Sequence, residues 1–228
     1  GTTRIDSYGL ASYGSYEAGR FVVGATLGYA YDRFRQSRAI LALGRSASSS
    51  HDGSEITGSI DVGYRLMAGK YSIAPFLSAD FAHLYQDGFA ESGAGALDLT
   101  VGASRFDSLQ PEAGVRVSRQ FVTANGATLL PELRLGVRRE LLDTTATGAA
   151  VLTAASSAGA LTAQGGAADR TMVDRGVRLS VSVTDATDLY AGYSARVSAN
   201  QSEQTFGLGA RVGFYGGEDD GGHRQMAG

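Results

Sequence analysis

The sequence has no cysteine and no tryptophan, only three prolines among 228 residues, and a single lysine, Lys70. Without cysteine there is no disulfide framework, no thiol nucleophile and no thiolate metal site. With 20 basic and 23 acidic residues the net charge is −3, and no basic surface argues for nucleic acid. Apart from Lys70 every cation is arginine, the side chain suited to fixed, bidentate ion pairs. No apolar run approaches the roughly 18 to 20 residues of a transmembrane helix, since even Phe21 to Tyr31 is broken by Gly24, Thr26 and Gly28. The opening Gly1-Thr2-Thr3-Arg4-Ile5-Asp6 has neither the basic nor the apolar region of a signal peptide and reads like the middle of a domain.

What is abundant is glycine, at 32 residues about twice its usual share of roughly 7%, and alternation with a period of two. Phe21, Val23, Ala25, Leu27, Tyr29 and Tyr31 interleave with Val22, Gly24, Thr26, Gly28, Ala30 and Asp32. Ile60, Val62, Tyr64 and Leu66 alternate with Ser59, Asp61, Gly63 and Arg65, and Val177, Leu179, Val181 and Val183 with Arg178, Ser180 and Ser182. Phe206, Leu208, Ala210, Val212 and Phe214 do the same with Gly207, Gly209, Arg211 and Gly213. This is the signature of two-sided strands, and no helical stripe of comparable length competes with it. The fold expected is all-β.

The chemistry of the two faces separates a water-soluble sandwich from a membrane barrel. The polar face carries Gly, Ser and Thr with single charges: Asp61, Arg65, Arg116, Glu132, Arg134, Arg138, Arg178, Arg196 and Arg211. Small residues with paired Arg and carboxylate suit the crowded lumen of a transmembrane barrel, so these nine are expected to face a lumen. The apolar face is aliphatic in mid-strand with aromatics toward the ends (Tyr29, Tyr31, Tyr64, Tyr71, Tyr193, Phe214), the arrangement of an aliphatic band between aromatic girdles.

Connections alternate between tight and long, as in an up-and-down antiparallel outer-membrane barrel. Tight turns fall at Glu17 to Arg20, Met67 to Lys70, Thr123 to Gly126 and Asp185 to Thr187. Longer loops are expected at Ser46 to Glu55, Asp87 to Gly95 and Asp143 to Asp169. The strands expected are 5–15, 20–45, 55–66, 71–86, 96–121, 128–142, 171–184, 188–199 and 203–214. Bacterial single-chain barrels have even strand numbers, so nine points to missing strands.

Several segments, in order, resemble the autotransporter β-domain family. They are Ala74-Pro75-Phe76, then Phe89-Ala90-Glu91-Ser92-Gly93-Ala94 with Leu97, then Ser108-Leu109 leading to Gly114-Val115-Arg116-Val117-Ser118-Arg119. Leu130-Pro131-Glu132-Leu133-Arg134-Leu135-Gly136 and the final hairpin from Gly192-Tyr193 to Phe214 follow. The segment Val137-Arg138-Arg139-Glu140-Leu141 departs from the family pattern by lacking Trp, His and Phe. The resemblance implies a twelve-stranded barrel in the bacterial outer membrane, of which residues 1–214 supply the later nine strands, with 215–228 as a flexible polar tail. It implies export of an N-terminal passenger domain, contact with outer-membrane lipid, and a C-terminal assembly signal at Phe206, Leu208, Val212 and Phe214 read by the outer-membrane barrel assembly machinery.

Enzymatic chemistry finds little support in the residues. His51-Asp52-Gly53 reads as part of a loop, and His83 falls on the face opposite Asp80. Asp87 and Glu91 are rim candidates without a partner in the sequence. Asp80, Asp98, Glu132 and Glu140 read as partners of lumen arginines rather than as an acid/base pair. Neither G-x-S-x-G nor H-E-x-x-H occurs. Glu218-Asp219-Asp220 with His223 reads as an acidic tail rather than a metal site. No catalytic, metal or cofactor site is expected. The alternatives to a translocator are a small outer-membrane barrel whose external loops bind a partner, as in an adhesin, and a soluble β-sandwich.

Overall fold

A computed structural model describes residues 1–124, 126–184 and 186–212, apart from the side chain of residue 158. In chain order the strands are β1 (Thr2–Ala18), β2 (Phe21–Ile40), β3 (Arg45–Tyr64), β4 (Leu66–Ala68), β5 (Tyr71–Gln86), β6 (Phe89–Ala90), β7 (Leu99–Val101), β8 (Ser104–Arg119), β9 (Phe121–Val122), β10 (Thr128–Arg139), β11 (Thr147–Leu152), β12 (Leu161–Gln164), β13 (Thr171–Thr184), β14 (Thr187–Val197) and β15 (Ser202–Val212). The main sheet runs β1-β2-β3-β5-β8-β10-β13-β14-β15, every neighbouring pair antiparallel, with β4 and β9 as short extensions. It is an all-β half-barrel of nine strands, curled on itself. Among the described residues no helix is long and apolar enough to cross a membrane, which says nothing against crossing by strands.

The three prolines mark where the ladder lapses. Extending the register of β3 and β4 against β5 sets Tyr64 opposite Pro75, beside the gap between β3 and β4. Extending that of β8 and β9 against β10 sets Arg119 opposite Pro131, beside the gap between those strands. Pro111 follows the same rule, because the β8–β10 ladder ends one pair short of it, at Glu112–Arg138. A proline has no N–H to give a neighbour, so pairing stops there on one side while the opposite side continues.

Several expected boundaries are corrected. Ser46 to Glu55, expected as a loop, lies within β3 and pairs with the distal half of β2 from Ala30↔Glu55 to Ala39↔Ser46. His51-Asp52-Gly53 is therefore strand rather than loop. The expected strand 96–121 is divided, its start turning into β7 before β8 begins. The long connections 87–103 and 140–170 contain β6, β7, β11 and β12, which form a second, four-stranded sheet.

Burial in the main sheet is inverted relative to a water-soluble domain. Among the described residues the buried apolar side chains are Ala47, Phe76, Ala94 and Ala195, while Glu112, Arg138 and Glu140 are also buried. Leu77, Leu133 and Leu208 stand exposed on a single face at 66%, 59% and 86%. A continuous apolar sheet face with nothing packed on it requires an apolar solvent. The soluble sandwich, which needs an interior for that face, does not fit.

Candidate functional site

The ladders assign every strand residue to one of two faces. One contains Asp61 of β3, Ser78 and Asp80 of β5, Glu112 and Arg116 of β8, Arg134 and Arg138 of β10, Asp174 and Arg178 of β13, Arg196 of β14, and Glu203 and Arg211 of β15. Arg138 is the hub of this polar face. Its Nη2 donates to Glu112 Oε2 at 2.7 Å, its Nε to Asp174 Oδ2 at 2.7 Å, and its Nη1 to Gln110 Oε1 at 3.3 Å and to Asp80. Glu112 also accepts from Arg134 Nη2 at 2.8 Å, and Asp174 from Arg196 Nε at 3.0 Å. Arg196 continues to Glu203 at 3.4 Å, and Arg116 donates to Asp61 at 2.5 Å. One connected set of ion pairs thus joins β5, β8, β10, β13, β14 and β15.

The same face explains much of the glycine. Phe76 lies between two guanidinium groups, Arg134 at 4.1 Å and Arg116 at 4.4 Å from its ring centre, a cation–π arrangement on an otherwise polar surface. A Cβ at Gly114 would strike the Phe76 ring, one at Gly136 the Glu112 carboxylate, and one at Gly209 the Tyr190 ring. Large charged and aromatic side chains fit on this side of the sheet because small residues stand beside them. A single-layer sheet buries a residue such as Glu112 only if neighbours on its own face lean over it, so the polar face is the concave one.

At the end of the sheet with long connections, the segment after β5 is strapped onto β2 and β3. Ser48 and Ser92 exchange backbone hydrogen bonds of 2.8 and 2.9 Å. Arg38 holds Glu91 with both ends of its guanidinium, and Nη2 also reaches the Leu97 carbonyl at 2.9 Å. Hydrogen bonding to Arg38 holds the Glu91 carboxyl below its ordinary value. Gly93 has φ +108° and would bring a Cβ to 2.6 Å from the Ser46 carbonyl oxygen, so this turn requires glycine. Asp98 accepts from the backbone N–H groups of Ala94 and Gly95 at 2.8 and 3.0 Å. The Phe-x-Glu-x-Gly run of the sequence is therefore a set of fasteners.

Phe89 completes the strap by stacking on His51, with ring centres 4.1 Å apart, while Phe34 stacks on the other side at 4.9 Å. The Gln86 amide donates to His51 Nε2 at 2.5 Å, which requires a neutral ring. Burial lowers the His51 pKa, with Asp52 and Asp87 pulling weakly the other way. A folded value below the ordinary one, about 6.5, makes the neutral stack stabilising above that pH and lost as pH falls through the lowered value. Amide hydrogen exchange over residues 86–104 is expected to quicken between pH 7.5 and 5, and His51→Phe to remove that dependence. An unchanged pH response in the variant would show that His51 is not the titrating group.

Residues 1–194 match the family model described as autotransporter β-domain. The chain belongs to the autotransporter β-domain family. Its fold is similar to that of the translocator domain of the autotransporter NalP from Neisseria meningitidis, at 20% identity and a TM-score of 0.69, covering 93% of this chain and 68% of that one. The β-domain of the Bordetella autotransporter BrkA is similar at 17% identity and a TM-score of 0.63, covering 93% and 75%. Family membership makes this chain an outer-membrane translocator barrel for an exported passenger, in a Gram-negative bacterium.

Within this autotransporter β-domain, the sequence-expected residues Asp61, Arg116, Arg134, Arg138 and Arg196 all make ion pairs on the polar face. Glu132 and Arg178 stand opposite one another in register, and both border a groove of about 530 Å³ with Arg116, Arg134 and Tyr190. Arg211 faces Asp188 in register, and Arg65 reaches Glu17 at 3.4 Å. Of the carboxylates, Asp80 binds Arg138, whereas Asp98 caps a turn. Glu140 accepts from Ser108, Gln110 and the Leu109 N–H instead of from a polar-face arginine. Sequence reading missed Glu112 and Asp174, although each lies four residues before an arginine of the same parity, Arg116 and Arg178. His83 and Asp107 pair at 2.5 Å on the opposite, apolar face. Among the described residues no cluster of three or more His, Cys, Asp or Glu could hold a metal. Phe206, Leu208 and Val212 lie exposed on the apolar side of β15. Phe214 and the tail 215–228 lie outside the described residues.

Proposed function

We propose that the polar face is the lumen wall of the translocator, that the apolar face meets outer-membrane lipid, and that the passenger is a segment N-terminal to this domain. The inverted burial carries this reading: charged groups are covered and ion-paired on the concave side, and aliphatic groups stand uncovered on the other. In lipid, a sheet satisfies its backbone only by closing, and in this family closure surrounds a path for an extended chain. The ion pairs suit such a path. Each guanidinium of the hub is held by carboxylates of neighbouring strands, so the wall stays rigid and nearly neutral instead of gripping a passing segment.

We place Phe206, Leu208, Val212 and Phe214 in contact with the assembly machinery. An edge strand with apolar side chains at alternate positions can be captured by strand addition, with backbone bonds giving affinity and side chains selectivity. In the full-length protein, protease added to intact cells should degrade the passenger while sparing the barrel, and Phe214→Ala should lower the amount of barrel in the outer membrane. A passenger that remains protected inside cells whose barrel is correctly inserted would overturn the translocator reading.

A further inference from the structure

The outward face of β1, β2 and β3 changes character along its length. Phe21 to Tyr31 covers ten residue steps, which at about 3.4 Å per step and a tilt near 40° is about 26 Å, the height of a barrel's apolar band. Tyr31 pairs with Tyr8 at its upper limit. Beyond that aromatic row the same face continues with Arg33 opposite Asp6 and Arg35 opposite Arg4, about 5 and 10 Å higher on the same arithmetic. A headgroup layer is about 5–7 Å thick on each side of the hydrocarbon, so these arginines stand at headgroup height.

The charges do not balance there. Asp52 lies opposite Arg33 and bonds to it at 3.4 Å, which neutralises that arginine. Asp6, by contrast, is shared: its Oδ1 accepts from Arg4 Nε and its Oδ2 from Arg35 Nη1, each at 3.1 Å. One carboxylate thus sits between two guanidinium groups whose side chains are 73% and 52% exposed. Among the described residues no further acceptor binds the two Nη groups of Arg4 or the Nη2 of Arg35. Like charges directly opposite on adjacent strands are destabilising unless an anion comes between them.

We propose that Arg4 and Arg35 bind the phosphate of a phosphorylated lipid headgroup in the outer leaflet, with the acyl chains lying along the apolar face below. Arginine binds phosphate through paired N–H donors, and the Tyr8–Tyr31 row supplies the amphipathic border such a lipid meets. The outward aspect of the patch and its height favour a lipid over a free anion. The inference rests on the outer-membrane barrel reading.

The test uses the full-length protein in vesicles of phosphatidylcholine doped with lipid A carrying both phosphates, or with lipid A stripped of them. Retained lipid is read by native mass spectrometry after detergent extraction. Wild type should retain the phosphorylated form alone, and Arg4→Gln with Arg35→Gln should weaken retention about tenfold, the loss of one charge-assisted contact. Asp6→Asn breaks the same two ion pairs yet should strengthen retention, because it leaves both arginines unneutralised. If both variants weaken retention alike, the cluster is merely structural. Retention that ignores the phosphates, or that millimolar inorganic phosphate abolishes, also overturns the proposal. A wild-type protein that never shows heat-modifiable migration would instead sink the barrel reading itself.

Discussion

Replacing Arg138 by methionine is expected to destabilise the barrel by about 3–5 kcal/mol, the range for removing one partner from a buried ion pair. Arg138 is 7% exposed and meets three carboxylates from three strands, Asp80, Glu112 and Asp174. Without it Asp80 loses its ion-pair partner, while Glu112, whose side chain is fully covered, keeps only Arg134. Glu112 Oε1 already has no hydrogen-bond partner, so the carboxylate has little reserve. Urea titration of the lipid-inserted domain, followed by its heat-modifiable migration, measures the loss. Glu112→Gln added to Arg138→Met should recover part of it, because the two side chains share one contact. The exposed Arg196–Glu203 pair is the contrast: Glu203→Gln should shift stability by less than about 1 kcal/mol, as for surface pairs generally. A loss below 1 kcal/mol for Arg138→Met would mean that the hub is solvated and that the concave face is open to water throughout.

The alternation that made nine strands legible reports the surroundings of a strand as much as the strand itself. Between Phe21 and Tyr31 one side needs apolar residues, and period two is plain. Between Ser46 and Ser54 neither side does, so the sequence turns polar and reads as a loop, although backbone pairing with β2 continues to Arg45. The second sheet was illegible for the same reason, since β11 (Thr147–Leu152) pairs mostly through Gly and Ala without a polar-apolar rhythm. The candidate site was half legible. Arginine on a strand face is conspicuous, whereas Glu112 and Asp174 look ordinary until the register brings them beside Arg138. Parity within each strand would have found them, because Glu112, Gly114, Arg116 and Ser118 necessarily share a side. The Phe89 and Glu91 motif was visible as a resemblance, but its physical roles, a ring on His51 and a carboxylate on Arg38, depend on a strand extension that the sequence hides.

Supplying strands to pair the free edges of β1 and β15 is expected to change the behaviour of this chain more than any substitution. Among the described residues the main sheet begins at β1 and ends at β15, and neither outer edge has a partner. Alternate residues of an edge strand direct both N–H and C=O outward, so about ten residues of an edge at membrane depth leave roughly ten polar groups unbonded. Each costs several kcal/mol in hydrocarbon, and the two edges together amount to tens of kcal/mol. No network on the polar face offsets a term of that size. The 228-residue chain in lipid is therefore expected to be protease-sensitive and to migrate identically with and without heating. We propose that three strands ahead of Gly1 join the two edges, since twelve is even and antiparallel closure of a single chain with both ends on one side requires an even number. A chain extended by those strands should become heat-modifiable and protease-resistant in the same lipid. Adding three strands beyond Val212 instead should fail, because they would invert the register in which β15 presents Phe206, Leu208 and Val212 as the last strand. If the 228-residue chain alone already migrates as a heat-modifiable, resistant species, β1 and β15 must meet each other, and the nine strands close without help.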